Sequence, residues 1–123
     1  MVLQPVADLA TPVVHLKRGS LRLGREVYNT YFAGLEAVIL LPREGSLHIL
    51  PVRHAGGGGY LLKVINAAGD RAVYAGDLLR QLGVDEVYLD GRAEATFAAR
   101  WSSAAAALVV ERLLEPVSQG LQT

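Results

Sequence analysis

The chain has 123 residues, 12 basic and 12 acidic side chains, a formal net charge of zero and 51% hydrophobic residues. That length suits one compact domain with a real core, or two half-sized units sharing one, and the composition excludes a disordered chain. Neutrality argues against a strongly basic nucleic-acid binder while leaving room for a local patch; the absence of cysteine removes disulfides, thiolate metal sites and cysteine nucleophiles together.

No apolar run approaches the roughly 20 residues of a membrane helix. The opening MVLQPVADLATP has neither a basic n-region nor a long apolar h-region, so no signal peptide is expected. The expectation is a cytoplasmic protein with no membrane contact.

Residues 1–11 read as a weakly ordered arm, since Pro5 and Pro12 discourage regular structure. Val13 to Lys17 predicts a strand, Arg18-Gly19-Ser20 its turn, and Leu21-Arg22-Leu23 the returning strand, with Leu21 and Leu23 on one face. From Gly24 the period changes: Val27, Tyr28, Tyr31, Phe32 and Leu35 form one apolar stripe of a short helix. Ala37 to Leu41 is a continuous apolar run suited to a strand buried on both faces. Pro42 to Ser46 is a turn cluster. Leu47 to Val52 completes a hairpin, with Pro51 predicting that the strand ends there or lies at an edge.

Arg53 to Gly59 contains four consecutive glycines and reads as a flexible connector. Tyr60 to Ile65 predicts a strand and Asn66 to Asp70 a turn. Arg71 to Tyr74 predicts another strand. Leu78, Leu79 and Leu82 then recur at helical spacing before a Gly83 cap. Val87-Tyr88-Leu89 predicts a short strand and Asp90-Gly91 a turn. Apolar residues at Ala93, Ala95, Phe97, Ala99 and Trp101 alternate with Arg92, Glu94, Thr96 and Arg100, the mark of a half-buried strand. Residues 103–114 carry two readings: a helix capped by Ser102 and stopped by Pro116, or a strand at Leu108-Val109-Val110 closing a hairpin. Position in the repeat favours the hairpin.

The order of glycine turn, short strand, helical stripe and closing glycine occurs twice, from Gly19 to Gly34 and from Gly69 to Gly83. The fold class expected is α+β, mainly β: two ββαββ swapped-hairpin-like repeats forming one small pseudo-symmetric barrel. The whole chain is read as a single domain, with repeats at 13–53 and 60–113 and a glycine linker at 54–59.

Gly69, Arg71, the strand Ala72-Val73-Tyr74, the acidic-apolar pair Asp77-Leu78 and the closing Leu82-Gly83 together resemble the swapped-hairpin family of AbrB-like transition-state regulators, MazE-type antitoxins and the tandem-repeat protein MraZ. The first copy is similar through Gly19, Leu21-Arg22-Leu23, Glu26-Val27 and its hairpin. It carries Ser20 in place of the turn arginine, and the proline that begins the family helix is Gly24 here and Ala75 in the second copy. The resemblance implies an apolar sheet face hidden by interleaving two units, within the chain or between chains, and a homo-oligomer. It also implies a non-enzymatic DNA-binding transcriptional regulator or antitoxin-like protein.

Lys17, Arg18, Arg22 and Arg25 place four cations within nine residues, with no acid among them. The resemblance adds Arg71, so these five are the DNA-binding residues expected, with double-stranded DNA as partner. The plain alternative is a solvated hairpin edge. It accompanies a second functional reading, a protein-interaction module of the same fold that binds a protein partner and no DNA. The four glycines beside Arg53, His54 and Lys63 lack the Gly-Lys-Ser/Thr of a phosphate loop. His15, His48 and His54 show no ligand spacing, and no serine sits in a nucleophile motif. No catalytic residue, metal or cofactor is expected. Tyr28, Tyr31, Phe32, Phe97 and Trp101 are assigned to the core.

Overall fold

A computed structural model of the chain describes residues 11–115; the arm expected at 1–11 lies outside them except for Thr11. Nine strands form one antiparallel sheet that curls into a nearly closed barrel. In chain order they are β1 (Val13–Lys17), β2 (Ser20–Leu23), β3 (Ala37–Arg43), β4 (Ser46–Val52), β5 (Tyr60–Leu61), β6 (Lys63–Val64), β7 (Arg71–Tyr74), β8 (Glu94–Ser102) and β9 (Ala107–Val110). Across the sheet they run β5-β3-β4-β9-β8-β1-β2-β7-β6.

Two hairpins are tight for a local reason. Lys17 pairs with Ser20 and Arg43 with Ser46, leaving two-residue loops. Both residues of each loop have positive φ: Arg18 and Gly19 at 51° and 76°, Glu44 and Gly45 at 48° and 89°. That is the backbone of a type I′ turn, whose twist matches that of the flanking strands. The β8–β9 hairpin is looser and is held by the Ser102 hydroxyl, which accepts from Ala105 N–H at 3.1 Å. Of the two readings for residues 103–114, the strand is therefore the one adopted, at Ala107–Val110.

The hairpins interlock far beyond their own turns. β4 of the β3–β4 hairpin pairs with β9, β8 pairs with β1, and β2 pairs with β7. Pro51 does not end β4 but lies past Ile49, the last residue paired to β9, so its missing donor is tolerated inside a strand that has neighbours on both sides. The expected strand at Tyr60–Ile65 is instead split. Tyr60 and Leu61 pair with Val38 and Ala37, while Lys63 and Val64 pair with Ala72 and Arg71. Leu62 between them is buried and donates its N–H to Glu36 O at 2.8 Å. One extended segment thus bridges both edges of the sheet and brings the barrel close to closure, covering edges that would otherwise be open to pairing. Before it, residues 54–59 turn back on themselves, with Gly59 N–H donating to Ala55 O at 2.8 Å.

The core is the inner face of the sheet. Val14, Leu16, Leu21, Leu23, Leu47, Ile49, Val73 and Leu108 are fully buried there. The helices close the ends. The predicted stripe from Val27 forms a single α-turn, α1 (Arg25–Val27), that widens into a π-turn at Tyr28–Phe32. The wider turn carries Phe32 into the core and lays Tyr31 flat on Trp101, ring centres 4.9 Å apart, while Phe32 meets Trp101 edge-on at 6.4 Å. Burying a ring such as Phe32 contributes about 1.5–3 kcal/mol. The second helix, α2 (Gly76–Gln81), buries Leu79. The strand expected at Val87–Leu89 is a correction: Glu86–Tyr88 forms a 3-10 turn, because Asp85 caps it by accepting from Val87 N–H at 3.0 Å and no neighbouring strand offers a ladder.

Candidate nucleic-acid interface

Alternation along β1 turns Val14 and Leu16 inward and His15 and Lys17 outward. Across the sheet His15 pairs with Arg22 and Arg22 with Ala72, which in turn pairs with Lys63. Residues directly opposite in adjacent strands share a face. His15, Arg22 and Lys63 therefore stand in one outward row with Lys17 beside them.

The five cations expected at the site are distributed unequally. Lys17 faces outward and reaches Glu94 at 3.5 Å, with its side chain 39% exposed. An exposed pair of that length is worth little and is screened by salt, so the ammonium stays available. Arg22 lies on the same face, and its Nε is buried without a partner. Arg25 begins α1 at the edge of this face, with its backbone N–H donating to Asp70 Oδ1 at 2.9 Å. Arg18 sits in the β1–β2 turn and lies across Gly91, where a Cβ would come within 3.0 Å of its Nε. Arg71 is elsewhere: it pairs with Leu23, so it points to the opposite side of the sheet. There its guanidinium covers the Tyr28 ring at 3.8 Å and donates to Gly69 O at 2.6 Å.

Lys17, Arg22 and His15 line an open cleft of about 290 Å³, together with Asn66, Asp70 and Glu94. His15, Lys63 and Asn66 were missed as members of this surface. Alternation along β1 could have found His15, but the other two depend on which strand docks beside β2. The His15 ring is steadied by Thr96 Oγ1 at 2.9 Å. Asp70 is held below the ordinary carboxylate value, first by the Asn66 side-chain amide and then by the Arg25 backbone N–H. It is therefore negative at neutral pH and subtracts from the field.

Charge neutralisation is uneven over the molecule. Arg80, Arg92, Arg100 and Arg112 each sit in an ion pair with an acid. Arg18, Arg22, Arg25, Lys63 and Arg71 have no acidic partner among the described residues, nor do Arg43 at the end of β3 and Arg53 just after β4. Such a surface can bind anions through its donors and its charge. No family model, no curated protein and no solved structure matches the chain.

Proposed function

We propose that the chain is two copies of one ββαββ unit, each shielding the apolar side of the other, and that its outward β1–β2–β7–β6 face binds double-stranded DNA as a non-enzymatic regulator. The pairing pattern supports the duplication. Matching the halves strand by strand, with connecting segments of unequal length, sets Leu23 on Val73, Val14 on Leu62, Val38 on Ala99 and Ile49 on Leu108, all buried. The pairs Leu40–Ile49, Leu16–Leu21 and Val13–Ala98 then recur as Trp101–Leu108, Val64–Arg71 and Leu61–Ala37. Recurrences of this kind are what a two-fold relation between the halves would give.

The observation that carries DNA binding is the row His15, Arg22 and Lys63 with Lys17 and Arg25 at its margins, in which, among the described residues, only Lys17 meets an acidic side chain in an ion pair. Cations on one sheet face position a duplex through its phosphates. Fluorescence anisotropy with mixed-sequence duplex at low salt tests this. Binding that is lost in the Lys17→Ala, Arg22→Ala, Arg25→Ala variant is expected; no binding by the wild type, or equal binding by the variant, ends the reading.

A second reading rests on a separate feature. Leu61, Val64, Ile65 and Tyr74 are exposed along or beside the seam segment, which favours a protein-interaction module of the same fold. A stoichiometric protein partner recovered from the native host without nucleic acid, and lost in Leu61→Ser, Val64→Ser, would select it.

A further inference from the structure

We propose a second anion site on the outer face of β3–β4–β9–β8, where Arg43, His48 and Arg100 would hold the phosphate group of a small molecule. The register builds it. Val109 pairs with Arg100 on one side and with His48 on the other, so the three stand in a row on the outward face. Neighbours in such a row have Cβ atoms about 5 Å apart, which puts Arg100 and His48 about 10 Å from each other across Val109. Val109 itself is 1% exposed and forms an apolar floor. Arg43 pairs with Ser46, two residues along from Leu41 and His48, and so shares that face. These groups line an open cleft of about 520 Å³.

The donors are uncommitted. Arg100 uses Nε for Glu111 at 2.7 Å, which leaves both terminal nitrogens. Arg43, His48 and Ser46 have no side-chain partner among the described hydrogen bonds and ion pairs. The His48 imidazole is held below its ordinary value by burial and then by the charges of Arg43 and Arg100. Glu111 offsets the charge of Arg100, while Arg43 has no acidic partner among the described residues. A dianion seated there opposes the effect of the two arginines, so binding raises the proton affinity of His48.

The rim decides the class of ligand. Glu44 lines the cleft and Glu111 stands on Arg100. A duplex would lay its neighbouring phosphates against these carboxylates, which favours a single small anion. The site is thus independent of the DNA-binding reading, which uses the β1–β2 face.

Ring resonances of His48 and His15 in the full chain, titrated by NMR with inorganic phosphate, phenyl phosphate and a short DNA duplex, test the proposal. Expected are a saturable change at His48 with both phosphates, an upward move of its titration midpoint, and no change at His15. In Arg43→Ala, Arg100→Ala the apparent affinity should fall by roughly tenfold or more. Both arginines are exposed, so the fold is retained. An unresponsive His48 in the wild type, an equal response in the double variant, or a His48 response to duplex alone would overturn it. Loss of DNA binding at His15 with phosphate binding intact at His48 would separate the failure of one reading from that of the other.

Discussion

Arg71 rests its guanidinium on the face of Tyr28, 3.8 Å from the ring centre, while Tyr28 donates its hydroxyl to Leu35 O at 3.0 Å. The pair joins β7 to the π-turn and anchors the end of the barrel. A cation over a partly desolvated ring is worth about 0.5–2 kcal/mol. Arg71→Ala should therefore lower stability by about 1 kcal/mol, and a double-mutant cycle with Tyr28→Leu should show coupling. Urea unfolding measures it; purely additive losses would show that the contact carries no energy.

Leu108 lies between Ile49 on β4 and Trp101 on β8, fully buried. Leu108→Ala should cost about 2–5 kcal/mol through lost burial and the cavity left behind. The same substitution at Leu61, 56% exposed on the seam, should cost far less. Thermal or urea unfolding of the two variants checks the ranking.

Gly19 has φ +76°, and a Cβ there would stand 3.0 Å from the Gly76 Cα. Gly19→Ala meets both strain and backbone, so a loss of more than about 1 kcal/mol is expected. Gly24 has φ −64° and nothing within 4 Å of a Cβ. As the N-cap of α1 it lacks a side-chain hydrogen bond, so Gly24→Ser should be neutral or stabilising by a few tenths of a kcal/mol. A clear loss at Gly19 and none at Gly24 is the outcome to look for in chemical denaturation.

Asp70 links the turn after β6 to the start of α1, accepting from Asn66 Nδ2 and from Arg25 N–H at 2.9 Å each. Because its folded pKa is depressed from 3.8, the carboxylate contributes stability above that value and loses it as pH falls through the folded value. Asp70→Ala should be less stable than wild type at neutral pH, with the gap closing as the solution is acidified below about pH 4. Unfolding midpoints against pH give the test, and a gap independent of pH would assign it to packing instead.

If the β1–β2 face carries DNA, each phosphate-contacting cation removed should flatten the salt dependence of log affinity by about 0.9. Lys17→Ala and Arg22→Ala should each do so. Arg80→Ala should not, since Arg80 is committed to Glu86 at 3.0 Å and to Asp77 at 3.2 Å.

Much of the local structure could be read from residue order alone. Gly19 and Gly45 marked turns because a residue without Cβ enters that backbone region freely, and alternation in β2 and β8 assigned their inner and outer faces. The mainly β class and the hairpin at residues 94–110 followed from the same short-range preferences. Tertiary structure alone decided that Leu62 would bridge both sheet edges, that Val87 would sit in a 3-10 turn, and that Arg71 would face Tyr28 rather than stand with Arg22. Strand register is the physical reason: a shift of one residue reverses every side chain, and it is fixed by partners as distant in the chain as Val13 and Ala98.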